Sequence, residues 1–410
     1  MLTWTKVSTT AAAAYALLGA CGANAAIELK AGDWDLEFSG NVNAFATNAS
    51  CEDPGPTTTV LAGLSCVDSD DDANIRTGLL PSWFGFAAKT RANDLDVGIT
   101  IGFQPGVDSG QFTNGLDQAL GLNTSNFRQV FLTIGDSWGT LKLGRDLGIF
   151  ASEAILSDMT LLGVGAGASG GGGNTTLGRI GTGYVYADWK SQISYTSPKF
   201  GGFSFEVGLM DPFGLSTIVP AGAGSVSGTA ESLDQANDSF GYEGEVQYAW
   251  EGRWPGKVWA SFLSQKIDAA IGGFTANAFD VGAKIGFGGF EGVIYWYSGD
   301  GIGTTAYLFD AASITGQKRE SEGGYVQLTY KLPGPGTKLG VSYGESKLDL
   351  ASGEAPSALV EKNSSLIFGV YHPLNKYVHA VVEFTSTESE AHNGNTADED
   401  SIAVGAILMF

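Results

Sequence analysis

From Trp34 onward the chain alternates residue by residue. Trp34, Leu36, Phe38, Gly40, Val42 and Ala44 fall on one side of an extended backbone, and Asp35, Glu37, Ser39, Asn41 and Asn43 on the other. Period two marks a strand with two unlike faces, because successive side chains leave a sheet in opposite directions. The pattern returns along the chain. Leu95, Val97, Ile99, Ile101 and Phe103 oppose Asp96, Gly98, Thr100 and Gly102, and Phe279, Val281, Ala283, Ile285 and Phe287 oppose Asp280, Gly282, Lys284 and Gly286. Val326, Leu328 and Tyr330 oppose Gln327, Thr329 and Lys331, and Ala380, Val382 and Phe384 oppose His379, Val381 and Glu383. No later segment approaches an apolar run of the ~18 residues that a spanning helix needs. A chain of this kind can cross a bilayer only as a closed barrel, which leaves no backbone edge to lipid.

A soluble sandwich also alternates, but two features separate the readings. The polar faces are rich in Gly, Ser, Thr, Asn and Glu, as a wet interior would be. The connections also sort by length. Short turns fall at 91–94, 135–137, 198–201, 251–256, 286–289, 332–337 and 373–376. Between them lie longer polar segments at 47–73, 105–125, 146–183, 211–238, 266–276, 298–321, 349–361 and 386–400. Seven short and eight long connections join 16 strands. Short turns on one side and long loops on the other are what membrane barrels have. Trp138, Phe200, Trp254, Phe290 and Tyr377, with Trp250 and Tyr330, cluster beside the short turns. Amphipathic rings favour the headgroup level, so these read as an aromatic girdle.

Residues 1–25 read as a secretory leader. Lys6 is followed by a short apolar run, and Ala23-Asn24-Ala25 is a small-x-small cleavage site. Residues 26–410 then form one barrel domain. Cys51 and Cys66 flank a Pro/Gly/Thr-rich stretch, and in an exported protein two such cysteines read as a disulfide. The formal net charge is −22, which argues against nucleic acid as a partner. No metal-ligand spacing is present, and no cofactor is called for. The last strand carries Ile402, Val404, Ala406, Leu408 and Phe410 on one face.

At this point the residues resemble the general Gram-negative porin family. Three stretches carry the likeness: Arg128-Gln129-Val130-Phe131-Leu132 with the following Gly135-Asp136-Ser137-Trp138-Gly139-Thr140-Leu141-Lys142-Leu143-Gly144-Arg145; Tyr195-Thr196-Ser197-Pro198-Lys199-Phe200-Gly201-Gly202-Phe203; and the strand ending in Phe410. The resemblance implies a 16-stranded trimeric barrel in the bacterial outer membrane. Lipid and lipopolysaccharide would surround it, and Phe410 would be read by the barrel assembly machinery. The third outer loop would fold inward, with acidic loop residues facing basic wall residues across an eyelet.

A porin makes and breaks no bonds. It offers small hydrophilic solutes and ions a water-filled path, and selectivity comes from bore and lining charge. The segment from Asp146 onward matches the constriction loop by position, so Glu153 and Asp158 are its expected acids. Arg145 is the first basic candidate, brought inward by a bend or bulge at Gly144, followed by Lys142, Arg128 and Arg179. Asp35, Glu37, Glu243, Glu245, Lys284 and Glu383 are expected to line the pore, and the excess of acid predicts a cation preference. Three other readings stand beside this one. A substrate-specific channel for sugars or carboxylates would use an aromatic track or a basic ladder. An enzyme would need a nucleophile and base in reach, and His372, His379 and His392 lack a serine motif. An adhesive barrel would not conduct.

Overall fold

The structure is a computed structural model. It describes residues 26–52, 60–66, 71–107, 127–169, 174–214, 216–219, 229–232, 239–269 and 272–410. The predicted leader, the glycines at 170–173 and the acids at 68 and 70 lie outside these residues.

Sixteen antiparallel strands close on themselves among the described residues. They are β1 (Trp34–Glu52), β2 in two pieces (Asp72–Arg76 and Trp83–Ala92), β3 (Leu95–Phe103), β4 (Gln129–Asp136), β5 (Gly139–Leu147), β6 (Trp189–Thr196), β7 (Phe203–Met210) and β8 (Gly241–Trp250). The second half comprises β9 (Gly256–Ala269), β10 (Gly272–Phe287), β11 (Phe290–Asp300), β12 (Glu320–Lys331), β13 (Lys338–Leu348), β14 (Val360–Pro373), β15 (Val378–Ala391) and β16 (Thr396–Met409). Each strand pairs with its neighbours in sequence, and β16 pairs back onto β1 from Asn41↔Met409 to Glu52↔Asp398. Phe410 fastens the seam. Its N–H donates to Gly40 O at 2.9 Å, and its carbonyl accepts the Gly40 N–H at 2.7 Å. A Cβ at Gly40 would run into the Trp83 carbonyl, so a side chain does not fit there.

The alternation read from the sequence sets the two surfaces. Val42, Val281, Val326, Val404 and Leu408 face outward, whereas Asn41, Asn43, Thr47, Gln327 and Glu383 are buried within. At the short-turn end the outward aromatic residues pair: Trp138 stacks on Tyr195 at 6.2 Å, Phe290 lies tilted 4.3 Å from Tyr330, and Trp254 lies 4.9 Å from Phe287. Such pairs add about 0.5–1.5 kcal/mol each beyond their area.

Two sequence expectations need correction. The segments 266–276 and 386–400 are mostly strand: β9 reaches Ala269, β10 starts at Gly272, β15 reaches Ala391 and β16 starts at Thr396. Strand pairing continues where outward side chains turn polar, because backbone hydrogen bonding does not depend on whether side chains meet lipid or water. The second strand is also broken. Pro81 has no N–H for the ladder, and residues 77–82 leave the wall for the interior. There Asn43 Nδ2 donates to Leu80 O at 2.8 Å and Asn41 Nδ2 to Pro81 O at 3.2 Å, while Gly78 N donates to Asn43 Oδ1 at 2.9 Å.

Candidate functional site

Beyond β5 the chain does not rise over the rim. Residues 148–169 and 174–188 lie inside the barrel as an inward loop, with a short helix α1 (Ser152–Ser157) and a 3-10 turn (Met159–Leu162). A loop in this position carries backbone N–H groups out of bulk water, and each needs an acceptor. The wall supplies them strand by strand. Glu243 on β8 accepts Ile149 N at 2.6 Å and Phe150 N at 2.9 Å, and Asp280 on β10 accepts Ala151 N at 3.1 Å. Gln327 on β12 accepts Met159 N at 2.8 Å and donates to Ser157 O at 3.0 Å. Glu383 on β15 accepts Val164 N at 2.7 Å and Gly165 N at 2.9 Å, and Glu399 on β16 accepts the Ser169 hydroxyl at 2.6 Å. Bonds to ionised acceptors are the strong kind.

Tyrosines and one arginine complete the seat. Tyr295 and Tyr325 are cross-strand partners with rings 5.7 Å apart, and Tyr184 of the loop packs edge-on to both. The Tyr325 hydroxyl donates to Ala154 O at 2.8 Å. Arg179 is fully buried on the return run. It donates to Ser342 on β13 and Ser365 on β14, and lies 6.0 Å from the Tyr325 ring. Burial pulls its guanidinium below the ordinary arginine value, with the Asp158 carboxylate opposing. Burial likewise pushes the Tyr184 hydroxyl up, and the Asp158 charge adds to this.

The first outer loop forms a second layer. Leu64 N donates to Asn363 Oδ1 at 3.1 Å, Ser65 Oγ to Thr387 O at 2.9 Å, and Cys66 N to the same Glu399 oxygen at 2.9 Å. Cys51 and Cys66 are disulfide-bonded, with Cα atoms 5.5 Å apart.

A cavity of about 170 Å³ lies between the inward loop, the 77–82 turn and the inner wall. Its lining is mostly apolar, and Arg128 is the one charged residue in it among the described residues. Arg128 donates to Asn174 Oδ1 at 2.7 Å, and its guanidinium lies 6.0 Å from the Trp189 ring. The Trp189 indole donates to the Tyr186 hydroxyl at 2.5 Å. Burial pushes that hydroxyl above its ordinary value, while the charges of Arg128 and Arg145 pull the other way.

A family model described as Gram-negative porin matches residues 8–392. The chain belongs to the Gram-negative porin family. It is a multi-pass β-barrel of the outer membrane, and the apolar outer face is its lipid surface. No curated protein matches the porin significantly by sequence. Among solved structures, it is similar to the outer membrane channel DcaP of Acinetobacter baumannii, with a TM-score of 0.66 and 17% identity over 94% of this chain and 100% of that one. An anion-selective porin from Comamonas acidovorans gives 0.59 and 14% over 92% and 100%. Vibrio cholerae OmpT, in vitro folded and described as a trimer form, gives 0.53 and 12% over 92% and 99%. At these identities the likeness is one of fold.

The structure places the expected residues of the porin unevenly. Gly144 does adopt a left-handed φ of +132°, yet pairing runs through it without an extra residue. In the ladder Arg145 pairs with Val130 and Ser191, yet it is half-buried with its Nε out of contact with solvent, and its charge reaches Tyr186 of the inward loop. Lys142 is inward, 2.7 Å from Asp146 and 3.7 Å from Glu206. Glu153 pairs with Lys257 of the wall. Asp158 accepts Thr160 N and the Tyr184 hydroxyl, both at 2.9 Å, within the loop, and its charge acts on Arg179 of the same loop.

Among the expected lining residues, Asp35 sits at the periplasmic mouth in an exposed pair with Lys30 at 3.0 Å. Glu37 lies 3.9 Å from Lys89, and Lys284 lies 3.0 Å from Glu291. Glu243 and Glu383 point inward as alternation requires, but they meet the loop rather than open water. Glu245 is buried beside Glu153 and Asp280. Gln327, Lys190 and Tyr325 were not singled out from the sequence. Their signal was their inward parity; what was lacking was the strand register that brings them together.

Proposed function

We propose that the porin is a passive diffusion channel whose narrowest passage is the cavity beside Arg128, and that its ion preference is set there and not by the net charge of −22. One observation carries this reading: Glu243, Asp280, Glu383 and Glu399 accept hydrogen bonds from the inward loop or from the loop above it. Carboxylates held this way direct their lone pairs at protein donors, whose dipoles offset part of the field that a passing ion meets. Lining charge at the narrowest point decides selectivity, and Arg128 is that charge. The reading therefore departs from the cation preference expected from the acid-rich faces. A fold relative described as anion-selective is compatible with it.

A second reading, a channel specific for carboxylates, is favoured by the apolar lining. We also propose a homotrimer, because a fold relative is described in a trimer form. No residue is given a catalytic role. The test is the reversal potential of the purified protein in a planar bilayer under a KCl gradient. The expected sign is neutral to anion-selective, moving toward cations in Arg128→Glu. Potassium permeating about tenfold faster than chloride in the unaltered protein would reject the assignment.

A further inference from the structure

We infer that the cavity beside Arg128 is a binding site for a small amphipathic monoanion, an aromatic or branched aliphatic carboxylate. The inference rests on the channel reading only in placing the site on the diffusion path; the site itself rests on geometry. Its volume is about 170 Å³. An apolar cavity of roughly 150 Å³ holds a benzene ring, so one ring and a small polar head fit. Leu79, Leu80, Leu156, Leu161, Leu177 and Ile180 supply the apolar wall. A hydrated inorganic ion would shed water against such a wall and gain no partner for it. A ring or branched chain gains by contact, at about 25 cal/mol per Å² removed from water.

The other end of the cavity holds a fixed cation. The Arg128 guanidinium stands 6.0 Å from the Trp189 ring and is oriented by Asn174 Oδ1 at 2.7 Å. A planar guanidinium matches a carboxylate better than any other small anionic group except phosphate. A neutral apolar guest would bring this guanidinium no opposite charge, and a cationic guest would meet like charge. Only one charged residue lines the cavity among the described residues, so a dianion would place its second charge against leucine. The ligand class is therefore a monocarboxylate with an apolar body.

Three isosteric probes separate the contributions without altering the protein: benzoate, benzyl alcohol and benzylammonium. Titration calorimetry on the detergent-solubilised barrel is expected to show benzoate binding at least tenfold more tightly than either of the others, and more tightly than acetate. Arg128→Gln removes the advantage of benzoate over benzyl alcohol, and Arg128→Lys retains most of it. In planar bilayers, benzoate reduces the chloride current in a saturable way. Benzyl alcohol or benzylammonium binding the unaltered protein as well as benzoate does would overturn the assignment. A conducting protein that binds no benzoate sinks the site and leaves the channel reading standing. Benzoate binding to a protein that does not conduct supports the site and sinks the channel reading.

Discussion

Removing the Glu383 carboxylate unfastens the inward loop at its midpoint. The carboxylate accepts three bonds, from Val164 N at 2.7 Å, Gly165 N at 2.9 Å and the Tyr371 hydroxyl at 2.6 Å. It is 1% exposed, so water does not replace it in the folded protein. The fit is close enough that a Cβ on Gly163 would overlap it. Hydrogen bonds to a charged group contribute about 1.5–3 kcal/mol each. Two of the three donors belong to the loop, which gives about 3–6 kcal/mol. Taking the lower end, since freed amides regain water on opening, Glu383→Ala costs local loop stability about 3 kcal/mol. At about 1.4 kcal/mol per decade, that is roughly a hundredfold. Hydrogen exchange of residues 159–169 in the folded barrel is the assay, with single-channel current noise rising alongside. Tyr371→Phe keeps both loop bonds and is expected to speed exchange by less than about tenfold. Unchanged exchange in a folded Glu383→Ala barrel would refute the reasoning that this acid holds the loop.

Two further outcomes follow from the same geometry. Lys190 and Glu243 form a pair buried on both sides, so Lys190→Met strands a carboxylate and is expected to cost about 3–5 kcal/mol; an unaltered unfolding temperature on gel-shift melting would contradict this. In the outer loops, partial burial works to raise the Glu354 carboxyl, but hydrogen bonds from Arg319 and Ala351 N–H and the Arg319 charge leave it below the ordinary value of 4.5. A lowered carboxyl stabilises above its unfolded value and loses that contribution as pH falls through the folded one. Exchange protection of residues 351–359 should therefore hold at neutral pH and fall only below about pH 4.5, with no such step in Glu354→Gln.

The barrel was legible because its cause is local. Alternation at Trp34–Glu52 and Gly272–Phe287 needs nothing but the strand's own period, and turn length sorts itself along the chain. The constriction was less legible because its causes lie far apart. Parity showed that Glu383 points inward, but not that Val164, 219 residues earlier, would be waiting there. Glu243 and Glu383, read as pore lining, are acceptors for that loop. Along their own strand Tyr295, Trp296 and Tyr297 alternate faces and form no track. The aromatic seat arises across strands, from Tyr295 opposite Tyr325. Arg145 shows the converse limit: the ladders on both sides of Gly144 stay in step with no extra residue, yet the arginine is half-buried and its charge reaches Tyr186 of the inward loop, which parity alone does not give.

The groups that fasten the inward loop are supplied by β8, β10, β12, β15 and β16, all made after it. Glu243 lies 94 residues downstream of Ile149, and Glu399 lies 230 downstream of Ser169. Until the last strand has zipped onto the first, the loop has no complete berth. A barrel whose strands have closed before the loop docks would be a wider tube, and its bore would shrink as the loop finds its acceptors. A freshly reconstituted sample should leak widely at first and tighten with time, so that the age of the preparation sets the conductance it shows.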